Sequence, residues 1–220
     1  MKTIKLDGEC KLYAYKTGQA PMRPQDISGD YIPSRIPGNV EIDLMNAGLL
    51  PNIYQGANVQ LTRKFELHEW WYVKEFCVEE PFQKDEAFLV FNGVDTYAEY
   101  FLNGTKIGDS DNMFITHEFA VGEALKKGEN QLAVHIFSAI KKAEEFDVNP
   151  SMVADWECFE NLRCRKPSHA YGWDIFPRVV SAGIWRSVAL EFRTKIRIEN
   201  VYLATVFARE DLAGLSFHYE

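Results

Sequence analysis

Residues 88–108 read FLVFNGVDTYAEYFLNGTKIG, a stretch in which three short apolar runs are separated only by turn residues. Asn103-Gly104 stands between the second run and the third. Both residues tolerate the positive φ that a type I′ turn requires, and this dipeptide is the strongest short-range hairpin signal in the sequence. The stretch therefore predicts a β-hairpin that joins strands at 97–102 and 105–108.

Similar short runs continue on both sides of this hairpin, with a period of two. In the clearest of them, Leu132, Val134 and Ile136 point to one face of the strand. His135 points to the other face, and the alternation predicts that this face is wet and that His135 is a surface residue. Because no ten-residue helical pattern separates the runs, we predict an all-β fold, an antiparallel sandwich or jelly roll rather than an α/β sheet. The predicted strands lie at 71–78, 88–91, 97–102, 105–108, 114–121, 131–137 and 184–192.

The first part of the chain carries two further local patterns. Asp7-Gly8 interrupts the β-rich residues 3–15 and predicts an opening hairpin. Residues 40–47 have helical spacing and Gly48 follows them, which predicts one short helix that ends in a left-handed cap.

A fresh alternating pattern occupies residues 197–207, after the basic stretch 193–195. It predicts the first strand of a second sandwich, whose partner strands we expect to be missing. We therefore divide the chain into a β-sandwich at residues 1–194 and the start of a truncated sandwich at residues 195–220.

Composition and charge exclude several classes of function. The formal net charge is −8, and Lys and Arg are scattered along the chain, so no basic stripe is available to bind a nucleic acid. No apolar run of about eighteen residues occurs, which argues against a membrane span. Residues 1–15 alternate charged with apolar side chains and contain no apolar core of a secretory signal, so we expect a cytoplasmic protein.

The sequence gives no pattern for a disulfide framework, a metal site or a familiar catalytic motif. The four cysteines are few and irregularly spaced. Cys158, Cys164 and His169 lie close together in sequence, but their spacing matches no structural zinc pattern. The hydrolase elbow, the phosphate-binding loop, the zinc-protease motif and the dinucleotide fingerprint are absent. We therefore expect reduced thiols, no metal, no cofactor and no catalytic residue in this chain.

One cluster of aromatic and acidic residues stands out in the long segment 149–178, which has no clean periodicity. Tyr171, Trp173 and Asp174 lie there within four positions. Sugar recognition uses this combination, because an aromatic ring covers the apolar face of a pyranose and a carboxylate accepts hydrogen bonds from two hydroxyls. In the structural alternative, Trp173 plugs the edge of the sandwich and Asp174 caps a turn. We take Asp174, Trp173 and Tyr171 as candidate substrate-binding residues.

Eight groups of short segments extend this cluster into a pattern that covers most of the chain. They are Ile36-Pro37-Gly38 with Asp43-Leu44, Trp70-Trp71-Tyr72, Phe91-Asn92-Gly93-Val94-Asp95-Thr96, Leu102-Asn103-Gly104, Asp111-Asn112-Met113-Phe114, Gly128-Glu129-Asn130 with Leu132, Gly172-Trp173-Asp174 with Pro177-Arg178, and Ala182-Gly183-Ile184-Trp185-Arg186. In these segments and in their order, the chain resembles the N-terminal domain of β-mannosidases in glycoside hydrolase family 2.

The resemblance implies a galactose-binding-like jelly roll that leads into an immunoglobulin-like sandwich and then into a (β/α)₈ barrel with two catalytic carboxylates. Such a barrel needs about 250 residues by itself, and the Asn-Glu pair that marks the acid/base residue of this family is absent from the 220 residues. The expected function is that of the non-catalytic sugar-binding domain of a retaining β-mannosidase, and the chain alone should be inactive. Its expected partners are a β-mannoside and the catalytic barrel.

The same resemblance implies that Trp173-Asp174 reaches the active-site mouth of the barrel, where the Asp174 carboxylate contacts the sugar that is cleaved. The family has Trp-Asp-Trp-Gly-Pro at this place, whereas Ile175 and Phe176 replace the second Trp and the Gly here. Three alternatives stay open at this point: a stand-alone carbohydrate-binding module, a purely structural domain, or the same domain of an exo-glucosaminidase, a galactosidase or a glucuronidase.

Overall fold

The protein is described by a computed structural model that covers residues 2–79, 81–83, 86–147, 159–194, 196–198 and 200–220. Its strands are β1 (Lys2–Lys5), β2 (Gly8–Lys16), β3 (Ile32–Ile36), β4 (His68–Val78), β5 (Ala87–Phe91), β6 (Ala98–Leu102), β7 (Thr105–Ser110), β8 (His117–Ala120), β9 (Gly128–Ile136), β10 (Val188–Phe192), β11 (Tyr202–Ala208) and β12 (Ala213–His218). Its α-helices are α1 (Val40–Asn46) and α2 (Ala139–Glu144), and short 3₁₀ helices lie at Pro24–Asp26, Asn58–Phe65, Phe159–Leu162 and Ser168–Tyr171.

Two antiparallel sheets form the body of the molecule. One sheet has the strand order β3-β2-β4-β9-β6-β7 and the other the order β1-β10-β5-β8. Alternate side chains of both sheets meet in one apolar core, as expected for a sandwich. This core includes Leu12, Trp70, Tyr72, Tyr100, Val134, Leu89, Phe91, Val188 and Leu190. The all-β sandwich that the sequence predicts is confirmed.

The hairpin predicted at Asn103-Gly104 is also confirmed. β6 pairs antiparallel with β7, and the two turn residues have φ values of 52° at Asn103 and 82° at Gly104. The predicted short helix corresponds to α1, and Gly48 just beyond it has φ 72°. Local turn and cap chemistry was therefore sufficient to place both features.

The side chain of Asn130 ties this hairpin to the turn before β9. Its Oδ1 accepts hydrogen bonds from Asn103 Nδ2 at 2.8 Å and from the Lys126 amide at 2.9 Å. Its Nδ2 donates to the carbonyl oxygens of Lys126 at 2.7 Å and Gly128 at 2.9 Å. Asn130 is buried, and the backbone groups that it contacts are shielded from water. These hydrogen bonds therefore take the place of bonds to water.

Replacing Asn130 by Ala should lower the free energy of unfolding by about 2 kcal/mol, because buried donors and acceptors lose their partners. Chemical denaturation of the chain measures this. The neighbouring exposed residue Gln131 gives a matched control, and its replacement by Ala should change stability by less than about 0.5 kcal/mol. Equal effects at the two positions would contradict a structural role for the Asn130 network.

The opening hairpin predicted at Asp7-Gly8 is wrong. β1 pairs with β10 in the smaller sheet, whereas β2 pairs with β3 and β4 in the larger one. The Asp7 carboxylate accepts hydrogen bonds from the Val188 amide at 3.0 Å and from Ser187 Oγ at 2.9 Å. These distant partners fix the turn, so that Gly8, with φ 101°, carries the chain from one sheet to the other instead of reversing it within one.

The prediction that His135 lies on a wet surface is also wrong. Its side chain does point away from the core, but the outer face of the larger sheet is covered there and His135 is 1% exposed. The Trp71 ring stacks on the imidazole with ring centroids 4.5 Å apart, and Nε2 lies 2.9 Å from Glu69 Oε2. Trp71 Nε1 in turn donates to the Pro21 carbonyl at 3.2 Å. The alternating pattern correctly predicted that His135 points away from the core. It carries no information about a loop that covers the outer face of the sheet.

The last described residues form a separate two-stranded sheet of β11 and β12. The strand predicted at 197–207 corresponds to β11. The expectation that this strand has no partner is wrong, because β12 pairs with it. The division at residue 194 stays a prediction. No helix in the described part of the chain is both long and apolar enough to cross a membrane.

Candidate functional site

The candidate residues lie on a narrow hairpin-like projection, residues 170–179, which we call the finger. At its tip, the Trp173 amide donates to the Phe176 carbonyl and the Phe176 amide donates to the Trp173 carbonyl, both at 3.0 Å. These reciprocal bonds leave Asp174 and Ile175 as the two central residues of a tight turn. Neither of them has a positive φ, so the turn forms without a glycine at the tip.

The tip of the finger is exposed. Asp174 lies on the surface, the Trp173 side chain is 67% exposed and Ile175 is 78% exposed. Trp173 therefore does not plug the edge of the sandwich. The tip can offer a carboxylate and an indole ring to a ligand, although their role in sugar binding stays a prediction.

Tyr171 differs from the other two candidate residues, because it is 1% exposed. Its ring packs in a small cluster beneath the finger, with Ala139, Ile140 and Cys164. In this chain Tyr171 supports the finger from below, and a contact of Tyr171 with the substrate stays a prediction. The sequence segment has no clean periodicity, so it gave no sign that Tyr171 faces inward while Trp173, two positions later, faces solvent.

An ion pair holds the base of the finger. The guanidinium of Arg178 donates to both carboxylate oxygens of Glu66, with Nε 2.9 Å and 3.1 Å and Nη2 2.8 Å from them. Nη2 also lies 3.4 Å from Glu160 Oε1, and the guanidinium carbon lies 5.6 Å from the centre of the Tyr171 ring. The Arg178 and Glu66 side chains are 12% and 9% exposed. The bond to Glu66 raises the pKa of Arg178 above its usual range.

Two main-chain features make this base narrow. The Val179 amide donates to the Ala170 carbonyl at 2.9 Å. Gly172 has φ 105°, and a side chain added there would lie 3.4 Å from Arg178 Cβ. The two sides of the finger are therefore in close contact at its base.

A second buried ion pair anchors the segments on either side of the finger. Lys166 Nζ donates to the Asp95 carboxylate and, at 2.8 Å, to the Ser181 carbonyl. The Lys166 and Asp95 side chains are 2% and 8% exposed. Ser181 Oγ donates to Glu41 Oε2 at 2.5 Å, and burial raises the pKa of Glu41. One ammonium thus links a residue before the finger, a residue after it and the sandwich body.

The sequence pointed to Asp174 and Arg178 through a motif, but it gave no indication of Glu66. Glu66 is 112 positions away from Arg178 and follows the 3₁₀ helix at Asn58–Phe65. A charged residue at such a place is most often a solvated one. Only the folded structure brings these two residues together.

Cys164 and His169 have different surroundings. Cys164 is buried, and this burial raises the pKa of its thiol, whereas the His169 ring packs 5.4 Å from the Phe176 ring. No group of three His, Cys, Asp or Glu side chains suited to a metal was found among the described residues. Cys158 lies outside them, so the expected absence of a metal stays a prediction.

Comparisons with known proteins give the family of this chain. The family model described as "Glycosyl hydrolase 2 galactose-binding domain-like" matches residues 17–186. The chain is 33% identical over 178 residues to β-mannosidase B of Thermothelomyces thermophilus, with 79% of this chain and 20% of that protein covered. It is 34% identical over 173 residues to the β-mannosidase of Rattus norvegicus, with 73% of this chain and 19% of that protein covered.

Solved structures give the same result. The β-D-mannosidase from Dictyoglomus thermophilum has a TM-score of 0.87 and 34% identity, and the match covers 99% of this chain and 26% of that chain. A β-glucuronidase from an uncultured Clostridium species has a TM-score of 0.62 at 20% identity, covering 100% of this chain and 33% of that one; it shares the fold. The chain spans about a fifth of the length of the curated relatives it matches.

The matched residues 17–186 include strands β3 to β9 and the whole finger. The chain therefore belongs to the glycosyl hydrolase 2 galactose-binding domain-like family.

Proposed function

We propose that this chain is the N-terminal, non-catalytic sugar-binding domain of a retaining β-mannosidase, and that it helps to shape the active-site mouth for a terminal β-mannoside. The similarity to β-mannosidases supports the choice of enzyme, since it reaches 34% identity over 99% of the chain in a solved structure. The catalytic carboxylates of such an enzyme belong to a barrel outside these 220 residues. The division into a sugar-binding sandwich at 1–194 and the start of an immunoglobulin-like sandwich at 195–220 is part of the proposal, as is a cytoplasmic location.

The observation that carries the proposal is the exposed Asp174 carboxylate at the end of a firmly based finger. A carboxylate in this position accepts hydrogen bonds from two neighbouring hydroxyls of a pyranose, and the Trp173 ring offers an apolar surface beside it. Both side chains lie outside the sandwich core. A finger of this kind supplies one wall of a sugar pocket, and the rest of the pocket must come from elsewhere.

In the proposed reaction, the barrel supplies the chemistry and this domain supplies position. Retaining glycosidases use two carboxyl groups about 5–5.5 Å apart, one as nucleophile at the anomeric carbon and one as the acid that protonates the leaving oxygen. Asp174 would hold the sugar ring by its hydroxyls while these groups act. Hydrogen bonds with a sugar hydroxyl that strengthen in the transition state lower the barrier to the chemical step and so raise kcat.

The first test is a calorimetric titration of the chain with mannose and manno-oligosaccharides. We expect dissociation constants weaker than about 1 mM, because one wall of a pocket buries little of the sugar. The Asp174→Ala variant of the chain is the matched control for any heat that is observed. Micromolar binding that this substitution abolishes would favour the alternative of a stand-alone carbohydrate-binding module.

The second test is hydrolysis by the purified chain. We expect no release of aglycone from an aryl β-mannoside, since the chain offers one exposed carboxylate at the finger rather than the pair that retention requires. The control is the full-length enzyme at equal concentration. Turnover by the chain alone would contradict the assignment of catalysis to the barrel. A panel of aryl β-glucosaminides, β-galactosides and β-glucuronides with the full-length enzyme separates the neighbouring substrate classes.

A further inference from the structure

The finger is held at its base, and its tip is exposed to solvent. Trp173 and Ile175 are mostly exposed, so they contribute little packing that could hold the turn in place. At the base, the Arg178 guanidinium is held by both oxygens of one carboxylate. A planar guanidinium in a two-pronged contact fixes orientation as well as distance, which a single point charge does not.

Because the tip lies some distance from the base, a small change in the orientation of the Arg178 guanidinium moves the tip appreciably. Asp174 lies four positions before Arg178, and because it is part of the turn, the distance between them is shorter than the roughly 13 Å of a fully extended segment, about 10 Å. A tilt of about 5° at the base therefore moves the tip by about 1 Å. A misplacement of about 1 Å in a group that positions substrate can cost about 100-fold in rate.

We propose that Arg178 and Glu66 are positioning residues that set where the Asp174 carboxylate meets the sugar. The inference rests on the proposed function, in which Asp174 contacts the substrate. Neither Arg178 nor Glu66 touches the sugar in this arrangement. Their ion pair joins the finger to the segment after the 3₁₀ helix at Asn58–Phe65, and so sets the angle at which the finger leaves the sandwich.

The chain contains a close match for this arginine that serves as a control. Arg193 contacts the carboxylates of Glu118 at 2.5 Å and Glu191 at 2.9 Å, and its side chain is 9% exposed. Its guanidinium carbon lies 4.8 Å from the centre of the Phe88 ring. Like Arg178, it pairs with two carboxylates and an aromatic ring, but it lies just after β10 and none of these partners belongs to the finger.

The experiment is a double-mutant cycle in the full-length enzyme with an aryl β-mannoside. Arg178→Lys and Glu66→Gln should each lower kcat/KM by about 10- to 100-fold. If they act through Asp174, the same substitutions in an Asp174→Ala background should lower it by less than about 3-fold more, because coupled residues are not additive. They should also divide their effect between KM and kcat as Asp174→Ala does. Arg193→Lys should change kcat/KM by less than about 3-fold in either background.

Two outcomes would overturn the inference. In the first, Arg178→Lys lowers kcat/KM by the same factor with and without Asp174. In the second, Arg193→Lys lowers kcat/KM as much as Arg178→Lys does. If Asp174→Ala alone has no effect, the proposed function fails instead.

Hydrogen exchange in the 220-residue chain gives a readout that needs no activity. Glu66→Gln, which keeps the shape of the side chain, should speed exchange of the Trp173, Phe176 and Val179 amides by about 10-fold or more while leaving β4 and β9 unchanged. Unchanged exchange at the finger would refute the positioning role.

Discussion

Replacing Asp174 by Ala in the full-length enzyme is expected to lower kcat/KM for an aryl β-mannoside by about 100- to 1000-fold. Two hydrogen bonds from sugar hydroxyls to a charged acceptor are worth about 1.5–2 kcal/mol each, and about 1.4 kcal/mol corresponds to one factor of ten. Because Asp174 is exposed at a turn, the stability of the protein should change by less than about 0.5 kcal/mol. Steady-state kinetics together with thermal unfolding separates the two effects.

The controls for this experiment follow from the chemistry of the side chain. Asp174→Asn keeps the shape and one acceptor but loses the charge, so its loss of activity should be intermediate. Asp26→Ala removes another exposed carboxylate, in the 3₁₀ helix at Pro24–Asp26, and should have no effect on kcat/KM. If Asp174→Ala keeps activity within about 3-fold of the parent enzyme, the domain is a structural support for the barrel and the sugar contact does not exist.

Replacing Lys166 by Met should lower the free energy of unfolding by about 3–5 kcal/mol, the cost of leaving a buried carboxylate without its counter-ion. Lys166 and Asp95 are among the most buried charged residues of the described chain. A domain of this kind is typically stable by about 5–15 kcal/mol, so the loss is a large part of the total. Urea denaturation monitored by tryptophan fluorescence measures it.

Two comparison variants identify the cause of this destabilisation. Lys141 pairs with Glu144 on the surface of α2, with side chains 43% and 56% exposed, and Lys141→Met should change stability by less than about 0.5 kcal/mol. Removing both charges by Lys166→Met with Asp95→Asn should restore part of the loss. If the double variant is less stable than Lys166→Met alone, packing of the Lys166 side chain contributes more to stability than its charge does.

The features that the sequence predicted correctly depend on neighbouring residues. Asn103-Gly104 carries its own turn chemistry, and the short helix α1 carries both its spacing and the glycine that ends it. The all-β class follows from a series of such local signals. Nothing in these inferences requires knowledge of which strand lies beside which.

The features that it missed depend on distant residues. Asp7-Gly8 has the composition of a hairpin turn, but Val188, 181 positions away from Asp7, decides where β1 lies. His135 has the alternation of a surface position, but a loop and Trp71 cover it. At the candidate site, the motif drew attention to Asp174 and Trp173, whereas the burial of Tyr171 and the partner of Arg178 appear only once the sandwich is assembled.

The position of β1 in the smaller sheet determines the order in which the protein can fold during its synthesis. β1 pairs with β10, and a ribosome that adds about 5–20 residues per second needs roughly 10–40 s to reach that strand after β1 has emerged. The larger sheet ends with β9 in chain order, so all of its strands are present in the nascent polypeptide before β10 is made. The smaller sheet therefore closes last, and the edges of β1 and β5 that β10 will occupy stay without this partner strand until then.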